Sequence, residues 1–109
     1  MAYLELPVRS DLPAYRFTTT LEGEKFGFQF HYNKRYDRWL FNLLDVNNNQ
    51  LLSGIPLLTG LDLLGRYKYE NLPLGTFLVL DETGQNRDPG EVGLGDDFKL
   101  IYRESTTND

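Results

Sequence analysis

Apolar and polar residues alternate along this chain in short runs bounded by glycine, proline or asparagine. Over residues 26–33, Phe26, Phe28, Phe30 and Tyr32 alternate with Gly27, Gln29, His31 and Asn33, the period-two pattern of a strand with one buried face. Trp39, Phe41 and Leu43 continue the pattern with opposite parity. Partners in an antiparallel hairpin must share a face, because a slip of one residue turns the whole apolar set to solvent. A four-residue loop of Asn33, Lys34, Arg35 and Tyr36 meets that condition, pairing Phe30 with Trp39, Phe28 with Phe41 and Phe26 with Leu43. Such cross-strand pairs contribute roughly 0.2 to 1 kcal/mol each, and burial of their area adds about 25 cal/mol per Å².

The same test extends upstream. Tyr15, Phe17, Thr19 and Leu21 alternate with Arg16, Thr18 and Thr20, and a turn over 22–25 sets Leu21 beside Phe26, Thr19 beside Phe28, Phe17 beside Phe30 and Tyr15 beside Tyr32. Downstream, residues 45–50 gather side chains that tolerate left-handed backbone, so a two-residue turn among the asparagines returns Leu51 and Leu52 alongside Leu43 and Leu44. Leu40 and Leu44 point away from the Trp39 and Phe41 face, and a flat sheet with one solvated face does not account for them. The expected fold class is therefore all-β, a small antiparallel meander curled into a barrel or sandwich.

Regular alternation fades toward both ends. Residues 2–6 suit a short strand, and Pro7 and Pro13 confine any strand there to an edge. This N-terminal arm, 1–14, is also placed to reach a neighbouring subunit. Over 54–69 the pattern stops, and Gly54, Pro56, Gly60 and Gly65 leave room for at most one short helical turn, over 61–66. A loop this apolar either plugs an open end of a barrel or presents its surface to a partner. Residues 76–80 form a continuous apolar run that suits an inner strand, and 98–102 alternate. The connection between them, 81–97, carries Gly84, Pro89, Gly90, Gly93 and Gly95; loops of this length in compact domains are often functional. The tail, 104–109, is polar and expected to fray.

Composition narrows the picture. A chain of 109 residues suggests one domain, 1–109, able to bury roughly two-thirds of its unfolded surface. The sequence has no cysteine, which excludes thiolate chemistry and disulfides. A net charge of −5 disfavours phosphate backbones and anionic lipid. The start shows neither a signal-peptide pattern nor a membrane-spanning run, so no membrane insertion is expected. Lys34, Arg35 and Arg38, interleaved with Tyr32, Tyr36 and Trp39, form the one local cluster with the chemistry to stack single-stranded nucleic acid. On an acidic protein a hairpin tip accounts for it better, and no nucleic-acid partner is expected.

Catalytic and metal-binding patterns are incomplete. His31 is the single histidine and sits on the polar side of its strand, which argues against a transition-metal site. Asp45, Asn47 and Asn49 match the first ligand positions of a calcium loop, but Gln50 replaces the required glycine and Pro56 the bidentate glutamate. Asp96 and Asp97 are adjacent, so on a strand they point to opposite faces. Gly90, Gly93 and Gly95 lack the Lys-Ser/Thr of a phosphate loop. No enzyme and no cofactor are expected.

Gly54-Ile55-Pro56-Leu57 followed by Gly60-Leu61-Asp62-Leu63-Leu64, then Leu94-Gly95-Asp96 before Leu100-Ile101-Tyr102, together with the Tyr32-Asn33 and Trp39 hairpin and the Asp81-x-x-Gly84 turn, resemble the baseplate plug family of cyanophage and related contractile-tailed phages. The resemblance spans about 17–102. It implies a structural virion protein, made in the host cytoplasm and present in several copies, that closes or stabilises the centre of the tail baseplate by docking to hub, tube or spike components. It implies no enzyme activity. The expected contact residues are Ile55, Pro56, Leu57, Leu61, Asp62, Leu63, Leu64, Leu94 and Asp96. The rival from another class is a small β module that binds a carbohydrate-like ligand through exposed Tyr36 and Trp39.

Overall fold

The computed structural model describes residues 3–65, 67 and 72–105. Among them are the strands β1 (Tyr3–Glu5), β2 (Ala14–Leu21), β3 (Glu24–Asn33), β4 (Arg38–Leu44), β5 (Gln50–Pro56), β6 (Thr76–Asp81) and β7 (Phe98–Arg103), with no helix. They form two antiparallel sheets, a four-stranded meander in the order β2-β3-β4-β5 and a three-stranded sheet in the order β1-β7-β6. Of the two expected closures, the sandwich is the one adopted, and among the described residues no barrel closes.

Both hairpins keep the expected faces but slip by two residues. The β2–β3 turn has two residues, Glu22 and Gly23, both with positive φ (52° and 87°), as a type I′ turn requires. Tyr15 therefore pairs with Phe30 and Phe17 with Phe28. Asn33 stays in β3, and its Oδ1 accepts the N–H groups of Arg35 and Tyr36 at 3.0 and 3.3 Å. This moves the next loop to 34–37, so that Tyr32 faces Trp39, Phe30 faces Phe41 and Phe28 faces Leu43. A slip of two preserves parity, and every ring expected inside remains on the inner face.

The 45–49 turn is built by Asp45, whose Oδ1 accepts the N–H groups of Asn47 and Asn49, both at 2.9 Å. It uses its carboxylate on its own backbone, as Asx turns do. The strand that follows reaches Pro56, further than the sequence pattern suggested. Its register against β4 is broken on either side of Leu43, and the Gly54 N–H left out of the ladder is taken by Asn42 Oδ1 at 2.9 Å.

The two sheets meet through aromatic rings. Phe77 of β6 sits edge-on to Phe28 at 5.8 Å between centroids, and it also contacts Phe41 at 6.4 Å and Tyr102 at 5.0 Å. These rings, with Leu6, Val79, Leu100 and others, make a single core. Residues 76–80 are not an inner strand: β7 takes the centre and β6 lies beyond it. The continuous apolar run has another cause. On its far side β6 is covered by irregular backbone, with Gly60 N–H donating to Val79 O and Leu63 N–H to Phe77 O, while Leu78 and Leu80 turn outward. Residues 3–8 fold back onto the same core. β1 pairs with β7, and Leu6 and Val8 are buried.

Residues 61–65 make a turn rather than a helix, closed by Gly65 N–H to Asp62 O at 3.0 Å; Arg66, the last residue of the expected helical turn, lies outside the described residues, as do 106–109 of the tail. The near end of the tail is held. Ser105 donates its hydroxyl to Glu22 Oε1 at 2.6 Å, and Tyr102 donates its own to Glu22 Oε2 while accepting Gly75 N–H at 2.8 Å. The Ser105 and Tyr102 hydroxyls hold the Glu22 carboxyl below its usual range, while burial and then the Glu22 bond push the Tyr102 phenol upward. A turn of one sheet is thus tied to the last strand of the other. Tyr102→Phe keeps the ring and removes the tie, so it should lower unfolding free energy by about 1–3 kcal/mol, read by urea denaturation; an unchanged midpoint would show the bridge to be idle.

Candidate docking surface

The two long connections are bonded to one another. Thr59 joins them: its N–H donates to Asp88 Oδ1 at 2.8 Å and its hydroxyl to Arg87 O at 2.5 Å. Gly60 lies against Asn86. The 81–97 segment is itself organised around Asp81, whose carboxylate is 1% exposed. Asp81 accepts from Thr83 N–H and Oγ1 at 3.0 and 2.6 Å and from Arg87 N–H at 2.9 Å. The Arg87 guanidinium then lies over the Phe98 ring, 5.3 Å from its centroid. Near the end of this loop Gly95 adopts φ +88°, and a Cβ there would meet Val8 O at 2.3 Å, so glycine is required for the loop to close on the N-terminal segment.

Of the expected contact residues, Ile55, Leu57, Leu63, Leu64 and Leu94 are buried in the core. Their apolar character serves the fold of the isolated chain, which is why the segment reads as greasy yet offers less surface than its sequence suggests. Leu61 (52% exposed), Asp62 and Asp96 stand at the surface, with Pro56 half-buried. Pro56, Leu58, Leu61, Asp62, Leu63 and Gly65 line an open groove of about 310 Å³. The structure brings Pro56, Leu61 and Asp62 together there; Asp96 sits apart, in the turn before β7.

A second apolar surface was not anticipated. On the outer face of the three-stranded sheet, Tyr3, Leu78, Leu80, Ile101 and Arg103 line a groove of about 480 Å³, and Leu80 is 45% exposed. The signal was present in the unbroken run of 76–80, where every second residue must face outward on a strand.

The aromatic platform of the rival reading is divided. Trp39 is 1% exposed and its indole N–H donates to Gly90 O at 2.7 Å, so the ring is fixed in the core by the 81–97 loop. Tyr36 alone is exposed. His31 is half-buried in β3 opposite Leu40. Among the described residues no group of three or more acidic or histidine side chains is placed to hold a metal ion.

The sandwich, its clamped loops and its outward leucines can now be set beside known proteins. A family model described as "Cyanophage baseplate Pam3 plug gp18" matches residues 3–105. The chain belongs to this family. Among curated proteins, none matches. The match to this baseplate plug family covers both connections, the N-terminal segment and all seven strands, so every surface described above lies within it. The family is a structural one, the plug of a phage tail baseplate.

Two outcomes check this geometry. Iodide should quench Trp39 fluorescence far less than that of free tryptophan, and quenching as efficient as for the free amino acid would place the ring outside the core. Hydrogen bonds, the Thr83 hydroxyl first, hold the Asp81 carboxyl down at about 2, against 3.8 ordinarily. A depressed carboxyl contributes stability above the unfolded value and loses it as pH falls toward the folded one. Asp81→Asn should therefore be less stable than the parent at pH 7 in urea denaturation, with the gap closing between about pH 4 and pH 2. A gap independent of pH would remove the charge from the explanation.

Proposed function

We propose that this chain is a docking component of the tail baseplate of a contractile-tailed phage, acting by contact rather than by chemistry, and that hub, tube or spike proteins are its partners. One observation carries the reading: Leu61 is held outward at the rim of an apolar groove by a segment whose backbone is bonded on one side to β6 and on the other to the 81–97 loop. An exposed leucine on a tethered loop is an anchor already in position, and anchors of this kind carry most of the energy of an interface when they enter a pocket.

Membership of the baseplate plug family supports the location, in the virion, and the structural role. Synthesis in the host cytoplasm and incorporation in several copies complete the proposal. Leu61, Pro56 and Asp62 are its contact residues, with Asp96 on a second patch. The buried members of the segment, Ile55, Leu57, Leu63, Leu64 and Leu94, shape the surface from beneath and enter the proposal as its support.

Leu61→Glu tests it. The substituted side chain remains in water in the free protein, so circular dichroism and thermal midpoint should change little. Burying a carboxylate against an apolar partner is costly, and incorporation into purified particles should fall by about tenfold or more. Normal incorporation of the variant would remove Leu61 from the contact, and absence of the parent protein from particles would overturn the reading as a whole.

A further inference from the structure

Four strand edges terminate the two sheets, and three of them are protected. β1 has only three residues. β6 is covered by 59–63. β5 is interrupted by register shifts, by Gly54 and by Pro56. β2 differs: it is eight residues long, pairs with β3 without interruption, and contains no proline or lysine and one charge, Arg16. Its other edge meets no strand among the described residues. Exposed edges are normally blunted by short length, bulges, lysine or proline because they template pairing with another chain.

The direction of the free groups follows from the ladder. Tyr32 N–H donates to Pro13 O at 2.9 Å, and bonding alternates along an antiparallel strand. Residues 13, 15, 17, 19 and 21 thus bond inward to β3, and Ala14, Arg16, Thr18 and Thr20 turn their N–H and C=O groups to the open edge. On the inner face Tyr15 and Phe17 end the aromatic row. They stack on Phe30 at 5.4 and 5.6 Å and remain half-buried, with the Tyr15 hydroxyl accepting the Arg9 N–H at 2.8 Å.

We propose that this edge pairs with β2 of a second copy, antiparallel about a two-fold axis at Thr18, joining two four-stranded sheets into one. Charge selects the occupant and the register. β2 has no carboxylate, so the net charge of −5 is carried elsewhere and the strand does not repel itself. An axis at Arg16 opposes two arginines, which is destabilising, and an axis at Phe17 leaves them diagonal neighbours. At Thr18, Arg16 faces Thr20 of the second copy, Phe17 faces Thr19 and Tyr15 faces Leu21. The two arginines stand about 13 Å apart along the strands, and about six N–H···O=C bonds form. The inference stands apart from the baseplate reading, because it concerns the isolated chain.

Sedimentation velocity on the full chain from about 1 µM to about 1 mM should show a monomer–dimer equilibrium. Thr18→Lys and Thr18→Glu each set like charges against one another across the axis, and each variant alone should dimerise about tenfold more weakly or worse. Because residue 18 faces its own counterpart, an equimolar mixture of the two should recover dimerisation as a heterodimer. Circular dichroism of each variant separates this result from misfolding. A parent chain monomeric throughout, which would leave the edge to a strand of some other protein, overturns the proposal. So does a variant that dimerises like the parent, or a folded mixture that stays monomeric.

Discussion

The layer of rings from Phe17 through Phe28 and Phe41 to Phe77 is the constraint on which the rest of the structure depends. Each of these side chains reaches the interior only because its strand keeps its parity against the next, and Phe77 reaches it from the opposite sheet. A slip of one residue anywhere in the meander would place a strand's aromatic set in water, at about 25 cal/mol per Å² exposed. A slip of two costs far less, since it exchanges one aromatic pair for another on the same face. The meander tolerates that freedom, and local turn chemistry settles it.

Parity was accordingly legible in the sequence, and register was not. Phe26, Phe28, Phe30, Trp39 and Phe41 could be assigned to one face from alternation alone, and all are buried. Choosing between a two-residue and a four-residue turn at Glu22 required knowing that a glutamate would take up positive φ. It does so beside Gly23, with its side chain drawn across to Tyr102 and Ser105. Those partners lie some eighty positions away, beyond the reach of any local pattern. Asn33 acts locally instead: its Oδ1 takes the N–H groups of Arg35 and Tyr36, and β3 extends by one pair, Asn33 with Arg38.

The irregular segments were legible in location and less so in orientation. Apolar content marked residues 54–64 as important, but without periodicity the sequence could not separate Leu57 and Leu63, which are buried in the core, from Leu61, which faces out. On a strand, alternation makes that distinction; on a loop, backbone turns such as the one closed by Gly65 make it. The run of 76–80 misled for the converse reason. Its hydrogen bonds are taken on both sides, as in an inner strand, yet one partner is irregular backbone rather than a strand, so the expected inner position failed while Phe77 and Val79 are buried.

Thr59 shows why this matters for docking. Long connections rich in glycine are expected to lose freedom on binding, at about 0.5–1.5 kcal/mol for each side chain immobilised. Here much of that ordering has already occurred in the free chain. Asp81 winds the 81–97 segment around its own carboxylate, Trp39 holds it through Gly90, and Thr59 joins it to the neighbouring loop. The cost of order is met by folding, through bonds between parts of one chain, and under the proposed docking a partner at Leu61 would find a surface already shaped. For a member of a structural family, a stiff irregular surface on a ring-packed sandwich is the means by which sequence becomes fit.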